Sequence, residues 1–203
     1  MKLTIIETGQ APPAIRDRFP DYPEMVRQMF ARVDGAINCE TVSIVRGDAL
    51  PALTDPAADA AIGQPIPSLT GIDLAGEPLS IGPSDGPMAI VLLAHWCGFC
   101  QAEVPILADY LSSTGMPEGV ELVTISTSID PARPNYPPST WLEREGWTVP
   151  TMVDDANSGA LRALGMSSFP GFIFVDADGR VVQRTSGQLP AEAFDQMVRS
   201  LAP

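Results

Sequence analysis

The feature that most constrains this chain is a cysteine pair, Cys97-Gly-Phe-Cys100, that follows an unbroken apolar run at residues 88–94. An apolar run of this length is typical of a strand buried on both faces of a sheet. After the pair, apolar residues recur at the helical spacing i, i+3, i+4 and i+7, and they are Val104, Leu107, Ala108 and Leu111. The sequence therefore predicts a buried strand, the cysteine pair and a helix in direct succession, with a kink at Pro105.

The position of the pair at the predicted start of a helix indicates redox chemistry. The free amide N–H groups and the helix dipole at that end favour the thiolate of Cys97, which we expect to be the attacking nucleophile. We expect Cys100, one turn later, to be more buried and to resolve the mixed disulfide. The alternative is half of a zinc site, but a structural zinc needs four ligands. Because the chain has no second Cys-x-x-Cys and one histidine, His95, we expect no metal and no cofactor.

Charge and hydropathy exclude several functions. The formal net charge is −13 and no Lys- or Arg-rich run is present, so neither nucleic acid nor an anionic lipid surface is an expected partner. No apolar run approaches the roughly 18 residues that a transmembrane helix needs. The first apolar stretch, residues 3–6, is too short for a signal peptide. As written, the sequence predicts a globular, cytoplasmic chain without a membrane segment.

Composition and periodicity divide the chain into three parts. Residues 1–47 form an N-terminal extension with a β-α-β pattern, in which the predicted elements are a strand at 3–6, a helix at 23–33 and a strand at 41–45. Residues 48–62 are rich in Ala, Pro and Asp, which indicates a linker. Residues 63–203 form one α/β domain. Its further predicted elements are an entry hairpin at 63–79, strands at 120–126, 172–175 and 181–185, and helices at 138–145, 157–164 and 190–201.

The N-terminal extension resembles the start of class I glutamine amidotransferases. The matching runs are Ile5-Ile-Glu-Thr-Gly9 and Arg18-Phe-Pro-Asp-Tyr-Pro23. The Gly-x-Cys-x-Gly nucleophile elbow and the His-x-Glu pair of that family are missing from the chain. A nucleophile without its base is not an active site, so amidotransferase activity is not expected.

Residues 63–203 resemble the TlpA/ResA branch of thioredoxin-like proteins. The resemblance rests on Ala94-His-Trp-Cys-Gly-Phe-Cys-Gln-Ala-Glu-Val-Pro105, Phe169-Pro170 and Phe174-Val-Asp-Ala-Asp-Gly-Arg180, with a fitting insertion at 126–155. It implies a thioredoxin-like α/β fold, a central mixed sheet with helices on both faces. It also implies a thiol–disulfide oxidoreductase, with protein or small-molecule disulfides as substrates and a thiol as electron donor. The alternative is a non-catalytic binding module on the same fold.

The resemblance also implies roles for particular residues. Pro170 matches the cis-proline of thioredoxin folds, which would hold the Phe169 backbone beside Cys97 for pairing with an extended substrate; an ordinary trans-proline is the alternative. Glu103, three residues after Cys100, matches a glutamate that shuttles protons to and from the dithiol, and a solvated helix glutamate is the alternative.

The aromatic residues and the histidine receive separate expectations. Trp96 is expected to shield the sulfurs and to offer an apolar docking surface. Trp141 and Trp147 are expected to be structural. His95 is expected to be exposed without a role; the alternative is an imidazole that, when protonated, favours the Cys97 thiolate. The residues between the cysteines, Gly-Phe, depart from the Gly-Pro of thioredoxin, and the branch is often exported or membrane-anchored, for which this sequence shows no signal.

Overall fold

The structure is a computed structural model that describes residues 2–7, 22–32, 38–43 and 59–202. Its contacts divide the chain into two units, Met1–Ala58 and Asp59–Pro203. Residues 44–58, which include most of the predicted linker, lie outside the described residues, as do residues 18–21 of the amidotransferase-like run.

The first unit has the predicted β-α-β pattern. Strand β1 (Lys2–Glu7) pairs in parallel with β2 (Asn38–Ser43), and helix α1 (Tyr22–Ala31) connects them in sequence. Parallel pairing requires a crossover, which the helix provides. Residue 33 of the predicted helix and residues 44–45 of the predicted strand lie outside the described residues.

The second unit is built on a seven-stranded mixed sheet with the order β4-β3-β7-β6-β5-β8-β9. Strands β5, β6 and β7 are parallel, and the remaining pairings are antiparallel. The strands are β3 (Leu69–Asp73), β4 (Pro78–Ile81), β5 (Met88–Leu93), β6 (Glu121–Ser126), β7 (Thr151–Val153), β8 (Gly171–Val175) and β9 (Val181–Ser186). The helices are α2 (Gly98–Ser113), α3 (Pro138–Arg144), α4 (Gly159–Ala163) and α5 (Ala191–Leu201).

The central strand β5 separates two hydrophobic cores. Its odd-numbered residues face a core that also contains residues of α2, α3 and α5, and its even-numbered residues face a second core that contains Leu161 of α4. All six residues of β5 are buried. The predicted thioredoxin-like fold, a mixed sheet with helices on both faces, is therefore confirmed. Trp141 and Trp147 are buried in the first core, as expected of structural residues.

Two elements differ from the sequence prediction. Strand β7 was not predicted, because its three residues are too few to show periodicity. The helix predicted at 157–164 is the shorter α4, because Ser158 has a left-handed φ of 54°. The carboxylates of Asp155 and Asp154 accept the N–H groups of Gly159 and Ala160, the first residues of α4. Helix α2 extends over its full length with Pro105 inside it. Within the described ranges, no helix has the length and apolarity to cross a bilayer.

Candidate active site

The cysteine pair lies where β5 ends and α2 begins. Cys97 is the N-cap of α2: its carbonyl accepts the Gln101 N–H at 3.0 Å, and its own N–H donates to the Ala94 carbonyl at 3.0 Å. Cys97 is partly exposed and Cys100 fully buried, and both are free thiols. The expected difference in burial is thus confirmed. The sulfur of Cys97 is therefore accessible from the solvent, whereas that of Cys100 is not.

Burial controls the chemistry of Cys100. Its sulfur accepts the Ala94 N–H at 3.5 Å, which favours the thiolate, but this bond does not offset the loss of water. Burial raises the pKa of the Cys100 thiol far above its usual range, and the negative charges of Cys97 and Glu103 raise it further. This environment therefore favours the thiol form of Cys100 over the thiolate.

Glu103 is buried rather than solvated. Its side chain is 0% exposed, and the Leu189 N–H donates to both carboxylate oxygens at 3.3 Å. Burial raises the pKa of Glu103, and the bond from Leu189 opposes this effect. The alternative of a solvated helix glutamate is therefore wrong. Because Glu103 lies three residues after Cys100 on α2, the two side chains share one face of the helix.

Phe169 and Pro170 form the opposite wall of the site. The Phe169–Pro170 peptide bond is cis, as expected. The Cys97 thiol lies 3.6 Å from the Phe169 carbonyl oxygen, to which it donates. The register of β8 against β5 explains this approach, because Gly171 pairs with Leu92 at the same end of the sheet. The expected juxtaposition of the Phe169 backbone and Cys97 is confirmed.

Trp96 lies beside the dithiol and is partly buried. Its ring meets Phe169 edge to face, with centroids 5.4 Å apart and planes at 88°. Its indole N–H donates to the Ser128 carbonyl at 2.8 Å. The guanidinium carbon of Arg133 lies 4.5 Å from the centre of the same ring. Phe99, between the cysteines, is 64% exposed, so it presents an apolar ring to the solvent beside Cys97 in the sequence.

His95 is fully buried, so the expectation that it is exposed is wrong. The Asp130 N–H donates to His95 Nε2 at 3.2 Å, which assigns the proton to Nδ1, and Nδ1–H donates to the Pro134 carbonyl at 2.7 Å. Side-chain amides of Gln101 and Asn135 donate to the His95 carbonyl. The amino-acid sequence does not show that the ring of His95 has hydrogen-bond partners 35 and 39 residues later in the chain. Only the proline-rich composition of residues 130–138 marked that loop.

The fold and the dithiol together define a thioredoxin-like protein. The family model described as Redoxin matches residues 47–201, and the chain belongs to that family. Among the described residues, no three His, Cys, Asp or Glu side chains are grouped as metal ligands.

Similar proteins agree with the predicted TlpA/ResA resemblance. The thiol-disulfide oxidoreductase ResA of Geobacillus thermodenitrificans is 24% identical over 144 residues, which cover 70% of this chain and 79% of that protein. A probable thiol:disulfide interchange protein DsbE-2 of Pasteurella multocida is 26% identical over 69% of this chain and 71% of its own length. The thioredoxin domain of a Bacteroides vulgatus thiol-disulfide oxidoreductase superposes with a TM-score of 0.58 at 20% identity, covering 71% of this chain and 100% of that one.

Proposed function

We propose that this chain is a thiol–disulfide oxidoreductase that reduces protein disulfides through Cys97 and Cys100. The observation that supports this most is the asymmetry of the two thiols. Cys97 is partly exposed, caps the first turn of α2 and faces the Phe169 carbonyl, whereas Cys100 is fully buried behind it. An accessible nucleophile backed by an inaccessible second thiol is suited to attack followed by internal resolution.

The proposed reaction has two exchange steps. The Cys97 thiolate attacks one sulfur of the substrate disulfide, and the substrate S–S bond breaks. The attacked sulfur forms a mixed disulfide with Cys97, while the other substrate sulfur leaves and takes a proton. Cys100, once deprotonated, then attacks the Cys97 sulfur and releases the substrate sulfur bound to it, which takes a proton to become a thiol. The protein gains an internal disulfide and the substrate gains two electrons. A dithiol donor then reverses the same steps and restores the reduced protein.

Glu103 is proposed to move the proton in the second step. The raised pKa of Cys100 blocks its attack until a base removes the proton. Glu103 lies on the same helix face, and its raised pKa brings it closer to that of a thiol than an ordinary carboxyl would be. Proton transfer is most effective when donor and acceptor are matched in this way. The polar contact of Glu103 with Leu189 fixes the carboxylate at the site.

Trp96, Phe169 and Pro170 are proposed to bind the substrate. The backbone of Phe169 lies next to the attacking sulfur, where it can pair with an extended peptide. The edge-to-face rings of Trp96 and Phe169 offer an apolar surface for residues that flank the substrate cysteine.

The buried state of Cys100 supports reduction as the direction of exchange. A protein whose reduced form is stabilised, as in DsbA, is a strong oxidant. In this chain burial and neighbouring negative charge both raise the pKa of Cys100. A thiolate on Cys100 therefore does not stabilise the reduced form. On this ground we propose reduction as the direction of exchange.

Reduction of insulin, followed by turbidity with dithiothreitol as the thiol donor, tests the proposal. We expect the full chain to accelerate precipitation and Cys97→Ser to lower the rate to that of dithiothreitol alone. Cys39→Ser, which changes a cysteine in the first unit, serves as the matched control and is expected to keep the full rate. Undiminished activity in the double variant Cys97→Ser/Cys100→Ser would overturn the proposal.

A further inference from the structure

A loop after β6 is held by hydrogen bonds to His95 and Trp96, the two residues that precede Cys97. We call residues 128–137 the wall loop. His95 donates to its Pro134 carbonyl and accepts its Asp130 N–H, while the indole of Trp96 donates to its Ser128 carbonyl. These three hydrogen bonds fix the wall loop relative to Cys97 at three points along its length. The wall loop is therefore anchored to the segment that leads into Cys97.

Arg133 is the cationic side chain that the wall loop places at the site. Its guanidinium lies 4.5 Å from the centre of the Trp96 ring, and its side chain is 55% exposed. Its ion pair with Asp130, from Nε to Oδ2, is long at 3.6 Å. A guanidinium that stacks on an aromatic face keeps its edge N–H groups free for a planar anion. Arg133 thus presents donors to the solvent at the ring of Trp96, the residue that precedes Cys97.

Other arginines of this unit are bound more closely. Arg184 and Arg199 form ion pairs with Asp59 and Asp195, and Arg180 donates to the Gly63 carbonyl at 2.8 Å. The chain as a whole carries a formal charge of −13. Most of its surface therefore repels an anion, while the position of Arg133 attracts one.

We propose that Arg133 selects disulfide substrates that carry a carboxylate beside the reacting sulfur, an inference that rests on the exchange activity proposed above. The guanidinium of Arg133 binds the substrate carboxylate in place of its long contact with Asp130. This binding orients the substrate sulfur toward Cys97. Arg133 takes no part in the bond changes and acts on specificity. An acidic peptide and a small anionic disulfide such as glutathione disulfide share this chemistry.

The test uses disulfide-bridged peptides that differ only in a Glu or a Gln beside the cysteine, and measures second-order rate constants with the reduced full chain. We expect the wild-type chain to prefer the Glu peptide about threefold, the size expected of an exposed ion pair. Arg133→Gln is expected to abolish the preference and Arg133→Glu to reverse it. Arg180→Gln makes the same change in net charge at the far end of the sheet, beyond Val175, and is expected to keep the preference.

The outcomes separate this inference from the proposed function. Equal rates for the two peptides in an active wild-type chain, or a preference that Arg133→Gln retains, would overturn the selection of substrates by Arg133. Neither result would overturn the proposed exchange activity. Absence of exchange with every peptide would overturn the proposed function and this inference with it. A parallel comparison of glutathione disulfide with its ethyl ester identifies the source of the carboxylate: a preference for the free acid that depends on Arg133 shows that small disulfides are selected as well as peptides.

Discussion

Replacing Glu103 by glutamine removes one buried charge next to the dithiol and leaves an oxygen that still accepts the Leu189 N–H. The carboxylate of the wild-type chain is fully buried, and burial raises its pKa. The folded state therefore binds the Glu103 proton more tightly than the unfolded state does. The stability that this group contributes is fully present below the pKa of an unfolded glutamate, about 4.3, and is lost as the pH rises through the folded pKa.

The magnitude follows from one proton. The difference in unfolding free energy, Glu103→Gln minus wild type, is expected to rise with pH from about 4.3 upward, with a slope of at most about 1.4 kcal/mol per pH unit. The curve levels off once Glu103 is ionised in the folded state. How well the protein accommodates the glutamine amide adds a pH-independent offset to the difference in unfolding free energy, and this offset does not change the slope with pH. The pH dependence, rather than the stability at one pH, therefore reports the buried carboxylate.

Urea unfolding of the reduced chain between pH 4.5 and 8, followed by tryptophan fluorescence, measures this difference. Glu121→Gln, which removes the same charge from an exposed position on β6, is the matched control for net charge. A difference between the Glu103 variant and the wild-type chain that stays flat, or falls, as the pH rises would refute the assignment of Glu103 as a buried carboxyl with a raised pKa.

Three further predictions test the resolving step, the core and the wall loop. Cys100→Ser is expected to accumulate a mixed disulfide with its substrate on Cys97, visible by mass spectrometry; release of that substrate at the wild-type rate would contradict internal resolution. Phe194→Ala empties a fully buried site and is expected to lower the unfolding free energy by about 3–5 kcal/mol, with exposed Gln196→Ala as the control in the same thermal melt. His95→Phe removes two hydrogen bonds to the wall loop and is expected to cost about 1–3 kcal/mol and to speed amide exchange there; unchanged exchange would contradict that anchoring.

The sequence predicted those parts of the site that depend on residues close together in the chain. The run of apolar residues, the cysteine pair and the helix are consecutive, and the structure has them as predicted. The cis bond before Pro170 came from the resemblance and is confirmed. The burial of Glu103 had a local signal, because Glu103 precedes Leu107 by four residues and so lies on the apolar stripe of α2.

The remainder of the site depends on contacts between residues that are far apart in the sequence. His95 follows a buried strand as a polar residue, and only the folded wall loop supplies the backbone groups that bind both ring nitrogens. Arg133 is 37 residues from Trp96 in the sequence, in a segment with no periodicity. Tertiary contacts of this kind follow from the register of β6 and β5, which brings the two loops to the same end of the sheet.

The reduction potential of the Cys97–Cys100 couple, measured by equilibration with glutathione or thioredoxin buffers, tests the central claim most directly. We expect a reversible two-electron transition, absent from Cys97→Ser, with a potential nearer to that of thioredoxin, about −270 mV, than to that of DsbA, about −120 mV. A potential near the DsbA value would contradict reduction as the direction of exchange. The absence of any internal disulfide in oxidising buffer would contradict the dithiol mechanism itself.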